Sequence, residues 1–257
     1  MPEGDTVHRT AGRLDAALAG KTVTRFDLRV PRLSTIDLRG ETVHGVVARG
    51  KHLLHRIGDR TLHSHLKMEG EWHVYAPGER WRKPVFKARA IVGVPDAETV
   101  GFDLAELEVV ATRDETALVG YLGPDPLSAD WDAAEAARRL GLDPRPVHVA
   151  LQDQRNVAGF GNEYANEILF VRGILPTTPA DETDAAALVD LGARMIRANR
   201  DRIDRTFTGD TRPGRTTWVY RREGRPCRRC GTLILGGSLG ADPTKERIVF
   251  WCPACQR

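Results

Sequence analysis

The sequence predicts an α+β protein in three successive parts: a sheet-rich N-terminal domain led by a helix, a helical C-terminal domain, and a small cysteine-bearing module. Three observations predict it. Short β-branched runs separated by turn residues fill residues 22–120. Apolar residues then recur at helical spacing between 131 and 199. All four cysteines fall within the last 31 residues. The expected boundaries are 1–122, 123–216 and 217–257.

Residues 6–18 read as the leading helix, because Val7, Ala11, Leu14 and Leu18 share one face. The runs TVTRFDLRV, TVHGVVARG, HLLHRIG, RTLHSHL, FKARAIVGV and LEVVA read as strands of a sandwich or barrel. Gly58-Asp59, Ala76-Pro77-Gly78 and Pro95-Asp96 punctuate them. Pro124 and Pro126 disfavour regular structure and mark a crossover. Four helices are expected beyond it: Trp131 to Leu140, one within 147–156, one over about 162–172, and one over about 182–199, where Leu188, Leu191 and Met195 share a face. From Thr217 the chain reads as strands around the cysteines.

Those cysteines form Cys227-x2-Cys230 and Cys252-x2-Cys255, separated by 21 residues. Each pair brings two thiolates to one metal from a tight turn, and two pairs complete a tetrahedron. The expected cofactor is one structural Zn2+ in a closed site, stabilising a segment too small for its own core. Reduced thiols or two disulfides are the alternative. The intervening stretch reads as a hairpin that could lay Lys245 and Arg247 on phosphate.

Net charge is only +3, but its distribution is polar. Asp96 to Asp143 holds 12 acidic against 3 basic residues, whereas Arg194 to Arg229 holds 12 arginines against 4 acids. Such asymmetry suits a protein that turns one face to a polyanion. No apolar run approaches the roughly 18 residues of a membrane span, and the N-terminus lacks the regions of a signal peptide. The expectation is a cytoplasmic protein.

Several residues could carry chemistry. Pro2 follows the initiator Met, whose removal would expose a secondary amine able to form an iminium with an electrophilic sugar carbon. Glu3 beside it could move protons. Lys51, in Arg49-Gly50-Lys51-His52, could reach phosphate from a turn. His63 and His65 alternate, but no acidic partner has metal-ligand spacing. Met68 lies in a short loop before Gly70. Gly159-x-Gly161 lacks the full dinucleotide fingerprint. It reads better as two helices joined by tight turns, with backbone N–H groups and Asn162 offered to phosphate.

Taken together, Pro2-Glu3-Gly4, Arg49-Gly50-Lys51, QRNVAGFGNEYANEILF and PCRRCG…RIVFWCPACQ closely resemble the formamidopyrimidine-DNA glycosylase/endonuclease VIII family over nearly the whole chain. The resemblance implies a β-sandwich, a helix–two-turn–helix motif and a four-cysteine zinc-finger β-hairpin. It makes Pro2 the Schiff-base nucleophile and Glu3 its acid/base partner. It makes Lys51, Asn162 and Arg247 DNA contacts, and Cys227, Cys230, Cys252 and Cys255 the zinc ligands. The opening and the aromatic pair before Cys252 look more like the endonuclease VIII branch, which prefers damaged pyrimidines.

Two features depart from the pattern. Lys67-Met68-Glu69 stands where that branch reads Gln-Leu-Tyr, with Met68 as an apolar wedge, and the finger gap is longer than usual. The implied protein is a monomeric base-excision-repair glycosylase and abasic-site lyase acting by β,δ-elimination. Its implied partner is duplex DNA carrying oxidised bases or abasic sites. An oxidised-purine glycosylase and a catalytically silent DNA-binding protein are the other readings.

Overall fold

A computed structural model describes residues 2–240 and 247–257. Lys245 lies outside the described residues. The chain divides into two compact units, Met1–Tyr121 and Leu122–Arg257. The finger hairpin belongs to the second.

The first unit opens with α1 (Gly4–Leu18), whose Val7, Ala11, Leu14 and Leu18 are buried as the sequence periodicity requires. Eight strands follow: β1 (Arg25–Leu28), β2 (Val43–Arg49), β3 (His52–Ile57), β4 (Arg60–His65), β5 (Glu71–Tyr75), β6 (Ala88–Val94), β7 (Ala97–Phe102) and β8 (Glu106–Ala111). They form two four-stranded antiparallel sheets, β1-β6-β7-β5 and β2-β3-β4-β8. Of the two expected architectures the sandwich is observed. The α1 face joins one apolar core with Val43, Leu53, Ile57 and Leu62 of one sheet and Ala90, Val92 and Trp72 of the other. Asp15 of α1 accepts the amide of Val46 at 2.8 Å and so occupies a donor on edge strand β2. The outer face of β6 and β7 has its own cover: Ile91, Val100 and Phe102 pack with Tyr75 and Trp81. Residues 112–121 close the unit with a short α2 (Thr116–Val119).

The second unit holds α3 (Ala133–Leu140), α4 (Val147–Ala150), α5 (Asn162–Arg172), α6 (Ala185–Asn199), β9 (Leu235–Leu239) and β10 (Arg247–Trp251). Asp132 caps α3 through the Glu135 amide, and Asp184 caps α6 through that of Ala187. The helix expected within 147–156 reaches only Ala150. Beyond it Gln154 ties a pair of turns, accepting the Gly159 amide at 2.9 Å and donating to the carbonyl of Phe160. Gly159 is therefore a turn residue at φ +96° whose N–H is already engaged. Helix α5 ends on Gly173 in the left-handed conformation, φ +75°. Phe160, Tyr164, Ile168, Leu188 and Ile196 share the core. At Gly192 a Cβ would lie 2.4 Å from the Phe160 ring, so only glycine allows this close approach. A smaller core of Phe170, Val219, Ile234 and Phe250 supports the β9–β10 hairpin.

Candidate functional site

In the first unit Pro2 is half-buried directly before α1, and Glu3 is the N-cap residue of that helix, with no exposed surface. A carboxylate at the positive end of a helix is favoured by the unpaired N–H groups there. Asp5 adds a second buried acid in the first turn and accepts the Thr6 amide at 2.7 Å. Removal of Met1 would thus leave a secondary amine one residue before a buried carboxyl group, the pairing that amine nucleophile chemistry with proton transfer needs.

Lys51 sits in the turn between β2 and β3, where Gly50 takes φ +55° and Arg49 pairs with His52. Met68 lies at the tip of the β4–β5 turn and is 63% exposed. Lys67 before it is salt-bridged to Glu106 at 2.6 Å, so the cation and acid that break the expected loop pattern do not act alike: Lys67 is tied to the sheet, whereas Glu69 is exposed.

Under this edge lies a group of histidines with no metal-like geometry. The His52 and His63 rings stack at 5.0 Å, His65 meets His52 edge-on at 5.0 Å, and His52 Nε2 is 3.0 Å from the Tyr121 hydroxyl. Burial holds the imidazoles neutral, pushing His52 down to about 3 and His65 to about 4, with nearby cations adding to both.

In the second unit Asn162 opens α5 and donates to the carbonyl of Ile248 at 2.9 Å, beside Arg247. Two sequence-predicted contacts 85 residues apart are thereby brought together. Arg247 is exposed at the start of β10. Three further groups fasten the same helix to the finger, none of them singled out by the sequence. Asn166 accepts the Phe250 amide at 2.7 Å. Glu167 accepts the amides of Trp218, Val219 and Tyr220 at 2.8, 2.9 and 2.8 Å. Gln256 accepts the Cys252 amide at 2.9 Å and donates to the Ile174 carbonyl just beyond the helix. Burial pushes the Glu167 carboxyl up to about 7 against the pull of its three N–H donors. The i, i+4 carboxamides Asn162 and Asn166, inside an otherwise buried helix, were the available signal.

The four cysteine sulfurs all lie within 4.8 Å of one another. Cys227 and Cys255 are 4.0 Å apart and Cys230 and Cys252 3.5 Å. A tetrahedral zinc–thiolate site requires an edge of about 3.8 Å, whereas a disulfide requires about 2.05 Å. The donor set and its spacing therefore fit a closed metal site, and all four cysteines are free thiols.

Residues 1–117 match the family model for the formamidopyrimidine-DNA glycosylase N-terminal domain, and residues 122–198 match that for the formamidopyrimidine-DNA glycosylase H2TH domain. The chain belongs to this family. Within it, the chain is 49% identical to the Mycobacterium tuberculosis "Endonuclease 8 2" over the full length of both. It is also 49% identical to the Mycolicibacterium smegmatis "DNA-(apurinic or apyrimidinic site) lyase Nei2", over all of this chain and 99% of the relative. A Heliobacterium modesticaldum "Formamidopyrimidine-DNA glycosylase" is 30% identical over all of this chain and 99% of its own. The difference in identity agrees with the branch expected from the sequence. Among solved structures, a MutM in complex with carbocyclic 8-oxo-G containing DNA superposes with a TM-score of 0.82 at 25% identity, covering both chains completely. Among the described residues, no helix is long and apolar enough to cross a membrane.

Proposed function

We propose that this protein is a bifunctional DNA glycosylase and abasic-site lyase of base-excision repair, acting on oxidised bases, pyrimidines foremost, in duplex DNA. The observation that carries the reading is the Pro2-Glu3 pair. Pro2, whose nitrogen becomes a secondary amine once Met1 is removed, stands directly before a wholly buried carboxyl at a helix start, in a chain that matches endonucleases 8 from end to end.

The steps follow from the chemistry of that amine. After removal of the initiator Met, the Pro2 nitrogen attacks C1′ of the damaged nucleotide, and the base leaves with a proton. The resulting iminium acidifies the C2′ hydrogen. Its loss expels the 3′ phosphate (β-elimination), and a second elimination expels the 5′ phosphate. Hydrolysis of the iminium returns the amine. Glu3 is the group placed to open the sugar ring and shuttle these protons. Lys51 and Arg247 bind phosphate, Asn162 supports that contact from the start of α5, and Met68 enters the stack as the nucleotide leaves it. Cys227, Cys230, Cys252 and Cys255 would hold one Zn2+, which holds the finger together without entering the reaction. The protein works as a cytoplasmic monomer, associated with the nucleoid through DNA.

Borohydride reduction on an abasic-site duplex tests the chemistry. The expected result is a covalent adduct whose peptide mass maps to Pro2. No adduct with Met-processed protein would overturn the lyase reading and leave a silent DNA-binding protein. Excision rates on thymine glycol, dihydrouracil and 8-oxoguanine duplexes test the substrate class, and faster release of 8-oxoguanine opposite cytosine would move it to the purine branch.

A further inference from the structure

The turn that carries Met68 is more tightly built than a surface loop requires. Leu66 is 2% exposed and anchors its start. Lys67 adopts φ +51°, a left-handed conformation that non-glycine residues avoid. The Gly70 amide closes the turn on the Leu66 carbonyl at 2.8 Å, and a Cβ at Gly70 would stand 2.5 Å from that same oxygen. The strained Lys67 is held from two sides. Its ammonium reaches Glu106 of β8, and its backbone N–H donates to His65 Nδ1 at 2.9 Å. That second bond runs from a side chain to the amide two residues on, the geometry of an Asx turn with an imidazole in place of a carboxamide.

His65 can accept this bond only while its Nδ1 is unprotonated, and its surroundings keep it so. It lies edge-on to His52, whose Nδ1 is 2.7 Å from His63 Nε2 and whose Nε2 meets Tyr121. His63 Nδ1 has no hydrogen-bond partner among the described residues. A buried orphan acceptor costs less than a buried orphan donor, so the chain runs from His63 Nε2–H to His52 and from His52 Nε2–H to Tyr121. All three rings are then neutral, and the stack fixes the orientation of His65.

We propose that His65 is a positioning residue for the DNA-probing turn: by accepting the Lys67 amide it holds the left-handed backbone that projects Met68, so the wedge is ordered before it meets DNA. The proposal rests on the reading of Met68 as the wedge. A preset turn matters only where a base pair must be opened. A duplex substrate requires the stack to be broken, whereas a lesion in an unpaired bubble does not.

The test is single-turnover excision of dihydrouracil from a duplex and from a bubble. His65→Phe keeps the ring contact with His52 and loses the acceptor. His65→Asn restores an acceptor in the ordinary Asx geometry. The expected result is a duplex rate lowered on the order of tenfold in His65→Phe, with the bubble rate unchanged and the duplex rate restored to within about twofold in His65→Asn. Met68→Ala should show the same duplex-only loss, and adding His65→Phe to it should cost little more. A 2-aminopurine opposite the lesion, which brightens as the stack opens, should respond more slowly in both single variants.

Equal losses on duplex and bubble would overturn the positioning role in favour of a general phosphate or folding role. Loss in Met68→Ala without loss in His65→Phe would overturn positioning alone. An unaltered duplex rate in Met68→Ala would remove the wedge reading and this proposal with it. Should His65→Phe fail to fold, Glu106→Gln loosens the other anchor from the sheet edge. A duplex-only loss there supports the preset turn, and an unchanged duplex rate counts against it.

Discussion

The two units hold their proposed DNA-facing residues by opposite means. In the first, Lys51 and Met68 sit on turns between strands whose backbone groups are already paired in sheet ladders, over a continuous apolar core. The polar side chains beneath them are imidazoles kept neutral by burial. In the second, the β9–β10 hairpin has a core of only a few side chains, and helix α5 is joined to it by Asn162, Asn166 and Glu167, each hydrogen-bonded to finger backbone. A sandwich of this size has a continuous apolar core, whereas a finger of about forty residues has a small one, and polar ties together with a bound metal would make up the difference.

Metal removal should therefore break one unit and spare the other, and it is the largest effect expected. Structural zinc contributes on the order of 10 kcal/mol to folding of such modules. Chelation, or Cys252→Ser, should abolish the finger and lower duplex affinity by at least about a hundredfold, the loss expected when several phosphate contacts go. The fluorescence of Trp72, buried between the sheets, should keep its urea midpoint. Duplex binding unimpaired after verified metal loss would show that the polar ties suffice alone.

The comparison also predicts opposite responses to pH. His52, His55 and His65 are pushed down to about 3, 4 and 4, each chiefly by burial. Their ordinary value is 6.5, so the stability they contribute is complete above pH 6.5 and is lost as the unfolded chain takes up protons between pH 6.5 and about 4, and for His52 on to about 3. The slope approaches ~1.4 kcal/mol per pH unit for each ring. Glu167 runs the other way. Its value is raised from 4.5 to about 7, so its share is complete below pH 4.5 and is lost as pH rises through 7, about 3 kcal/mol in all. Urea midpoints read by Trp72 should fall on acidification from about pH 6.5 to 4. Those read by Trp218, beside Glu167, should fall between about pH 5 and 8, and Glu167→Gln should flatten that second slope. His148, pushed down to about 4 by burial, gives the second unit a smaller acid share. A flat Trp218 profile in the parent protein would mean that the three N–H donors hold the carboxylate charged throughout.

What could be read from the sequence follows the same division. The cysteine spacing, the α1 periodicity and six of the eight sandwich strands were legible because each is a local pattern. Strands β5 and β7 were not. Thr99, Val100, Gly101 and Phe102 are buried on both faces of a strand lying between two others, so β7 shows no alternation, and Glu71 and His73 make β5 look like surface loop. Pro2, Lys51 and Arg247 could be named as candidates from the residues alone, but only the resemblance gives them roles, since nothing in a Met-Pro start or a lone turn lysine specifies chemistry. Glu167, Asn166 and the packing of His63 and His65 on His52 were missed because their partners are backbone amides or rings brought near only by the fold. A polar residue on a helix reads as solvent-facing until the three amides at 218–220 are seen to converge on it.

The smallest effect expected is also the one that divides the resemblance from the geometry most finely. By resemblance Asn162 contacts DNA, yet its Nδ2 is committed to the Ile248 carbonyl, and its Oδ1 lies 3.2 Å from Asn166 Nδ2. A side chain so engaged would act on phosphate through Arg247, by holding the start of β10 where the guanidinium is proposed to meet DNA. Arg247→Ala should then weaken lesion and undamaged duplex alike and reduce the dependence of log K on log salt by about 0.9, one phosphate's worth. Asn162→Ala should give a smaller loss of the same kind, and the double variant should bind no worse than Arg247→Ala. Strict additivity, with a second full step in the salt slope, would make Asn162 an independent phosphate contact and place it with Lys51 rather than with the braces of the finger.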